Sequence, residues 1–243
     1  MKRLSIFVFL LVSLVSFGQV KRTINVKMAG TLPNLISNEE KYTIEELILT
    51  GELNGTDILL LREMSGSDYN GKSTEGKLSY LDMSGVTIVD GGAYRQVGNG
   101  PLYHQRGAAI DYLNNEVFIS QANTIGKFAF SGALKLETVI LPAGIVTINE
   151  MAFARCFNLK KVVMPTHLTT IEDYAFENCA FTSFTLPGTV TYFGTGVLDG
   201  CNSITDIKVE SSNTVYDSRD NCNAIIKTST HELLFGIKNT IIP

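Results

Sequence analysis

The sequence predicts a solenoid, a stack of short coils sharing one long core, and three observations predict it. A phrase of 22 or 23 residues is written four times between Asn123 and Val209, as NTIGKFAFSGALKLETVILP, VTINEMAFARCFNLKKVVMP, TTIEDYAFENCAFTSFTLP and VTYFGTGVLDGCNSITDIKV. Apolar residues hold fixed phases: Ile125, Ile148, Ile171 and Phe193 form one column, Ala129, Ala152, Ala175 and Val197 a second, and Phe130, Phe153, Phe176 and Leu198 a third. Each phrase also closes on a strand of Leu-x-x-Val-x-Leu type, with Leu136, Val139 and Leu141 in the first and Ile204, Ile207 and Val209 in the last. A period of 20 to 29 residues with these phases is the signature of a leucine-rich solenoid.

One unit cannot bury such a face alone. Stacking coils about 4.8 Å apart sets like residue on like residue and pairs every backbone edge except the terminal ones. The steps between phrases are 23, 23 and 22 residues, and the shortfall is local, because Cys156 to Leu159 is a three-residue step and Cys179 to Phe181 a two-residue step. The expected fold is therefore a leucine-rich-repeat solenoid, α/β to mainly β, of right-handed stacked coils with short strands, helical N-terminal cap units and a C-terminal hairpin-like cap.

Ile-x-x-x-Ala-Phe-x-x-Cys-x-x-Leu-x-x-Val-x-Met-Pro, read from Ile148 to Pro165, resembles the BspA-like, or Treponema pallidum-type, leucine-rich repeat. Plant and mammalian repeats are a poorer match, since they place Asn where this chain places its Ala-Phe and Cys columns. The segment NTVYDSRDNCNAII from Asn213 to Ile226 resembles an insertion found between such repeats, and Leu47–Asp57 and Leu81–Gly85 resemble the amino-terminal caps of Bacteroidetes members. The resemblance implies an exported, surface-associated recognition protein without catalytic activity.

The chain opens on Met1-Lys2-Arg3, an uncharged run from Leu4 to Phe17, and small residues at Ser16 and Gly18. That pattern reads as a signal peptide over 1–18. Its run of about 14 apolar residues is short of the roughly 20 needed to span a bilayer. No Cys lies near the cleavage zone, so an unlipidated product without a transmembrane segment, beginning near Gln19, is expected outside the cell or on its outer surface, with the periplasm as the alternative. Of 20 basic side chains the signal takes 2, leaving 18 against 24 acidic ones. A mildly acidic chain with no Lys/Arg block is a poor nucleic-acid binder.

Residues 19–90 read as an N-terminal cap and two longer coils. Ile24–Met28 is an extended lead, Leu32–Ser37 with Glu39 and Glu40 a brief helix or turn over the first coil, Thr43–Thr50 a strand ending at Gly51, Asp57–Met64 a helix, and Leu78–Met83 a second strand. Periodicity stops from 91 to 122, which reads as an irregular insertion loop holding Tyr94, Arg95, Tyr103, His104, Arg106 and Tyr112. Loops of that length are commonly functional, and Tyr and Arg are frequent at binding hot spots; aromatics packed on the solenoid are the alternative. The four tight repeats occupy 123–209. Residues 210–243 read as a hairpin-like excursion, Val215-Tyr216, Ala224–Lys227 and Leu233–Phe235, which either folds back as a cap or leaves an edge for end-to-end pairing with a second copy; the cap, and hence a monomer, is expected.

No catalytic or cofactor-binding constellation emerges. His104, His167 and His231 are far apart, and a solenoid brings only neighbouring coils together. Asp217, Asp220, Asn221 and Asn223 offer oxygens of the kind calcium prefers but lack the spacing of a calcium loop, and read as turn formers, so no metal is assigned. The outward strand positions Thr138, Lys161, Ser183 and Asp206, then Ile140, Val163, Thr185 and Lys208, show no aromatic stripe. Together with the absence of Trp, this favours an extracellular or host protein over a glycan as partner, with a glycan-binding module and an envelope spacer as further readings. Cys156, Cys179 and Cys201 share a column with Ala133, a place for a small apolar side chain, so these thiols and Cys222 are expected buried and free.

Overall fold

Parallel strands, one in each early coil and two in each tight coil, run through most of the molecule. A computed structural model describes residues 19–96, 100–103, 109–113 and 116–241, and side chains outside 96–115. The leader expected over 1–18, His104 and Arg106 lie outside the described residues. In chain order the strands are β1 (Lys21–Val26), β2 (Glu46–Leu53), β3 (Tyr80–Ile88), β4 (Gly91–Gln96), β5 (Gly100–Tyr103), β6 (Ala109–Leu113), β7 (Val117–Ser120), β8 (Thr124–Ile125) and β9 (Thr138–Ile140). They continue as β10 (Thr147–Ile148), β11 (Lys161–Val163), β12 (Thr170–Ile171), β13 (Ser183–Leu186), β14 (Tyr192–Phe193), β15 (Asp206–Val209), β16 (Tyr216–Asp217), β17 (Ala224–Lys227) and β18 (Glu232–Gly236). A helix, α1 (Gly55–Met64), follows β2.

The cap and first coils form as composition dictates, with shifted ends. The first strand is Lys21–Val26, earlier than the expected lead, and Leu32–Asn34 is a short 3-10 turn that buries Leu32. β2 runs past Gly51 to Leu53, where a strand end was expected. Gly51 adopts φ +95°, and a Cβ there would lie 2.1 Å from the Val26 carbonyl oxygen, so glycine lets the strand continue beside β1. α1 is started by a capping box: the Asn54 side chain accepts from Thr56 N at 2.9 Å and the Asp57 carboxylate from Asn54 N at 2.9 Å. Asp57, fully buried, also accepts from Gly30 N at 2.5 Å and Leu32 N at 2.9 Å, tying the turn to the helix.

In the tight repeats the columns stack as their phases require. Phe153 lies between Phe130 and Phe176, with ring centroids 5.3 and 5.5 Å apart and interplanar angles of 6° and 13°, and all three rings are fully buried. All four cysteines are free and buried. Three donate to a carbonyl one coil back: Cys156 to Phe130 at 3.1 Å, Cys179 to Phe153 at 3.3 Å and Cys201 to Phe176 at 3.1 Å. Burial pushes the Cys156 and Cys201 thiols up to about 12 and Cys179 in the same direction. A second ladder lies outside this core. Phe128, Met151, Tyr174 and Gly196, one per coil, all take left-handed backbone, and the first three pack against one another beneath Phe118.

Among the described residues two larger parallel sheets result, with a separate parallel pair beside them. One has the order β1-β2-β3-β9-β11, the other β14-β12-β10-β8. β13 and β15 pair only with each other, so the first sheet is interrupted between β11 and β13. That is the coil in which the one-residue deficit was located.

The segment 91–122, expected to be irregular, contains antiparallel ribbon. β4 pairs with β7 and β5 with β6. Their partners lie up to about 30 residues apart and no local periodicity announces them. At the far end β16, β17 and β18 form an antiparallel sheet over the last coil, and Ile225 is fully buried in the main core. The Tyr216 hydroxyl accepts from Phe193 N at 3.0 Å and donates to Thr191 O at 3.3 Å. Asn223 accepts from Ile207 N at 2.6 Å and donates to Thr205 O at 3.0 Å. Side chains of the hairpin thus meet the backbone edges of β14 and β15.

Candidate recognition face

Alternation along each strand sends one residue inward and its neighbours outward. Leu47, Leu81 and Val139 are fully buried in the core, with Val162, Phe184 and Ile207 at the same phase of later coils. Their neighbours build rows across the sheet. Register places Lys21, Glu46, Tyr80, Thr138 and Lys161 in one row, and Thr23, Ile48, Asp82, Ile140 and Val163 in the next. Beyond the interruption Ser183 pairs with Asp206 and Thr185 with Lys208. The sequence-selected Thr138, Lys161, Ser183, Asp206 and Lys208 therefore share one face of the strands.

Charges on this face are largely tied to neighbours. Lys21 bonds Glu46 at 2.5 Å, which raises the lysine pKa, Lys160 bonds Glu137 at 2.8 Å, and Lys208 bonds Asp206 at 2.9 Å. Lys161 forms no ion pair among the described residues. Tyr80, in register between Glu46 and Thr138, was missed as a face residue. The signal existed: in Tyr80-Leu-Asp-Met83, Leu81 and Met83 point inward, so Tyr80 and Asp82 must point out.

Two insertion residues need correction. Tyr94 is buried, its hydroxyl donating to Lys127 O at 2.9 Å, and burial raises its pKa above the ordinary tyrosine range. Arg95 donates to Ser131 O at 3.1 Å and lies over the Phe128 ring at 5.1 Å; burial lowers its pKa to about 10. Both join the ribbon to the first tight coil, Tyr94 buried and Arg95 half-buried, which is the packed alternative for these two side chains. Tyr103 and Tyr112 sit on β5 and β6, opposite Ala109 and Pro101 respectively. Asp217 is held by Arg219 and Thr228, Asn223 caps β15, and Asp220 and Asn221 take left-handed turn conformations, so the oxygen-rich stretch performs turn and capping work.

A groove of about 570 Å³ opens where the sheet is interrupted, lined by consecutive residues of both strands, Lys160–Met164 and Phe181–Thr185, with Pro187 and Glu210 at its end. Phe181 and Phe184 close its floor; they are 2% and 4% exposed and stand where the preceding coils carry Leu159 and Val162. Two larger side chains fill the volume left by the missing residue.

The repeated phases, the stacked Phe and Cys columns and the paired parallel ladders are those of a leucine-rich-repeat solenoid. Residues 123–240 match the family model of the BspA-type leucine-rich repeat region. Six copies are matched, running past Val209 into the hairpin sheet. No curated protein matches the chain. Among solved structures it is similar to a leucine-rich repeat protein from Bacteroides ovatus, with 33% identity over 36% of this chain and 22% of that one and a TM-score of 0.34. It is also similar to a leucine-rich cell surface protein from Faecalibacterium prausnitzii, with 17% identity over 88% and 49% of the two chains and a TM-score of 0.49. The pneumococcal vaccine antigen PcpA shows 17% identity over 84% of this chain and 40% of its own, with a TM-score of 0.48. This chain thus spans between about a fifth and a half of the solved chains it matches. Among the described residues no helix is long and apolar enough to cross a membrane.

Proposed function

We propose that this BspA-type protein is exported, works at the outer cell surface without catalysis, and recognises an extracellular or host protein through the outward face of its parallel strands. The observation that carries this reading is the row Lys21, Glu46, Tyr80, Thr138 and Lys161. It sets an aromatic ring among charged and hydroxyl side chains on five strands fixed by one backbone ladder. Such a mixed surface on an inflexible frame loses little side-chain freedom on binding and supplies residue types found at binding hot spots. Adhesion is the role that fits an exported molecule of this build.

A binding screen of the mature protein against extracellular-matrix proteins, run beside a glycan array, tests it. The expected result is a protein ligand whose binding falls at least tenfold in Tyr80→Ala. Ligands found only among glycans, or a protein ligand indifferent to Tyr80→Ala and Lys161→Glu alike, would overturn it.

A further inference from the structure

The interruption between β11 and β13 has a defined hydrogen-bonding character. In a parallel ladder successive amides point to opposite neighbours. Leu141 N donates to Val163 O at 3.1 Å across the β9–β11 side, and Ile207 N turns away to Asn223. By that alternation and the strand registers, the amides of Val162 and Met164 on β11, and of Ser183 and Thr185 on β13, face the gap. The two coils remain joined at its base, where Ala180 N donates to Leu159 O at 2.9 Å, and on the other side, where β10, β12 and β14 pair without interruption. The gap is therefore a slot with an aromatic floor, closed at one end, with donors and acceptors along both walls.

We propose that this slot takes an extended peptide segment of the protein partner by its backbone, with a carboxylate of that segment beside Lys161. The proposal rests on the protein-recognition reading above and narrows it to one site. Alternating unpaired N–H and C=O groups on a strand edge match an extended peptide and no other common ligand, the mode by which peptides join exposed sheet edges. Lys161 stands at the mouth, exposed and outside any ion pair among the described residues, beside the hydroxyls of Thr182, Ser183 and Thr185. A cationic wall with hydroxyl donors selects an acidic side chain. The one-residue deficit creates the slot and the larger Phe181 and Phe184 keep its floor closed, so it costs the core no cavity.

Hydrogen exchange tests it in two stages. In the free protein the amides of Val162, Met164, Ser183 and Thr185 should exchange at least tenfold faster than that of Val163, which faces β9; equal protection would show a closed ladder and overturn the proposal. A random 12-residue peptide library panned on the mature protein should then yield acidic binders that protect those four amides. Inserting one Asn between Cys179 and Ala180, which restores the three-residue step, should abolish binding. Thr185→Pro, which removes a slot-facing donor and leaves the β15 side intact, should weaken it at least tenfold and serves if the insertion fails to fold. Binders that protect the face around Tyr80 and ignore Thr185→Pro would refute the slot while leaving the face reading standing. Failure to select any binder, or protection only outside the strands, would refute the slot, and the Tyr80→Ala screen would then decide the face independently.

Discussion

Removing one ring from the Phe column is the most direct measure of how the coils hold together. Phe153 is fully buried, with rings stacked on both faces at 5.3 and 5.5 Å, so truncation removes contacts to two coils at once and leaves a hole that neither rigid neighbour can fill. Phe153→Ala should cost about 3 to 5 kcal/mol from lost transfer energy plus cavity. For a chain of this size each kcal/mol corresponds to about 2 to 4 °C, giving a fall of about 6 to 20 °C in calorimetry. The same coil supplies its control. Phe157, four residues on, is 57% exposed, and Phe157→Ala should stay within about 0.5 kcal/mol of the parent. Phe153→Leu should cost only about 1 to 1.5 kcal/mol, because Leu198 already occupies the fourth rung of this column and is 1% exposed. Equal shifts for Phe153→Ala and Phe157→Ala would refute the stacking argument, since the two residues differ chiefly in burial.

Alkylation under native conditions at pH 8 should label none of Cys156, Cys179 and Cys201, whose burial holds the thiolate out of reach, while denaturing, nonreducing conditions should label four thiols per chain; fewer would mean a disulfide. Gly196→Ala should destabilise by about 1 to 3 kcal/mol, because Gly196 sits at φ +62°, where a Cβ is strained, and the added Cβ would also lie 2.4 Å from the Tyr174 ring; in Tyr174→Ala the part due to the ring should vanish while about 1 kcal/mol of backbone strain stays, and an additive double-mutant cycle would contradict this. The Arg219 guanidinium holds the Asp217 carboxyl at about 2, below its ordinary value, so Asp217 stabilises the hairpin sheet above about pH 4 and the contribution is lost as pH falls toward 2. Limited proteolysis of the hairpin should therefore show an acid-side midpoint that Asp217→Asn abolishes, and identical profiles for the two proteins would count against the pairing.

The tight repeats were legible because each rung repeats the same volume at the same phase, which one sequence read against itself reveals. The cap was legible in outline for a different reason, the Leu32-Pro start of a turn and the apolar Asp57–Met64 run, while the capping box at Asn54 and Asp57 emerges only with the structure. What escaped were pairings without a local signature. β4 meets β7 across the whole insertion, and only that contact explains why Tyr94 and Arg95 turn inward onto Lys127, Ser131 and Phe128. The left-handed column escaped too, since Phe128, Met151 and Tyr174 give no glycine to read, and packing beneath Phe118 holds them there.

The site was legible as a face but not as a slot. Counting residues located the deficit between Cys179 and Phe181, yet a deficit can be absorbed in a turn, a core or a ladder, and sequence alone does not choose. Here the core absorbed it by exchanging Leu159 and Val162 for Phe181 and Phe184, which left the backbone ladder to open. The contrast between inward and outward columns points the same way. Inward positions repeat as Phe, Phe, Phe and Leu or as Ala, Ala, Ala and Val, because every rung must fill the same space. The outward column reads Thr138, Lys161, Ser183 and Asp206, with no residue used twice. Water imposes no common volume, so those positions are free to answer to a partner, and a frame with stacked columns holds each of them at a fixed spacing while they do.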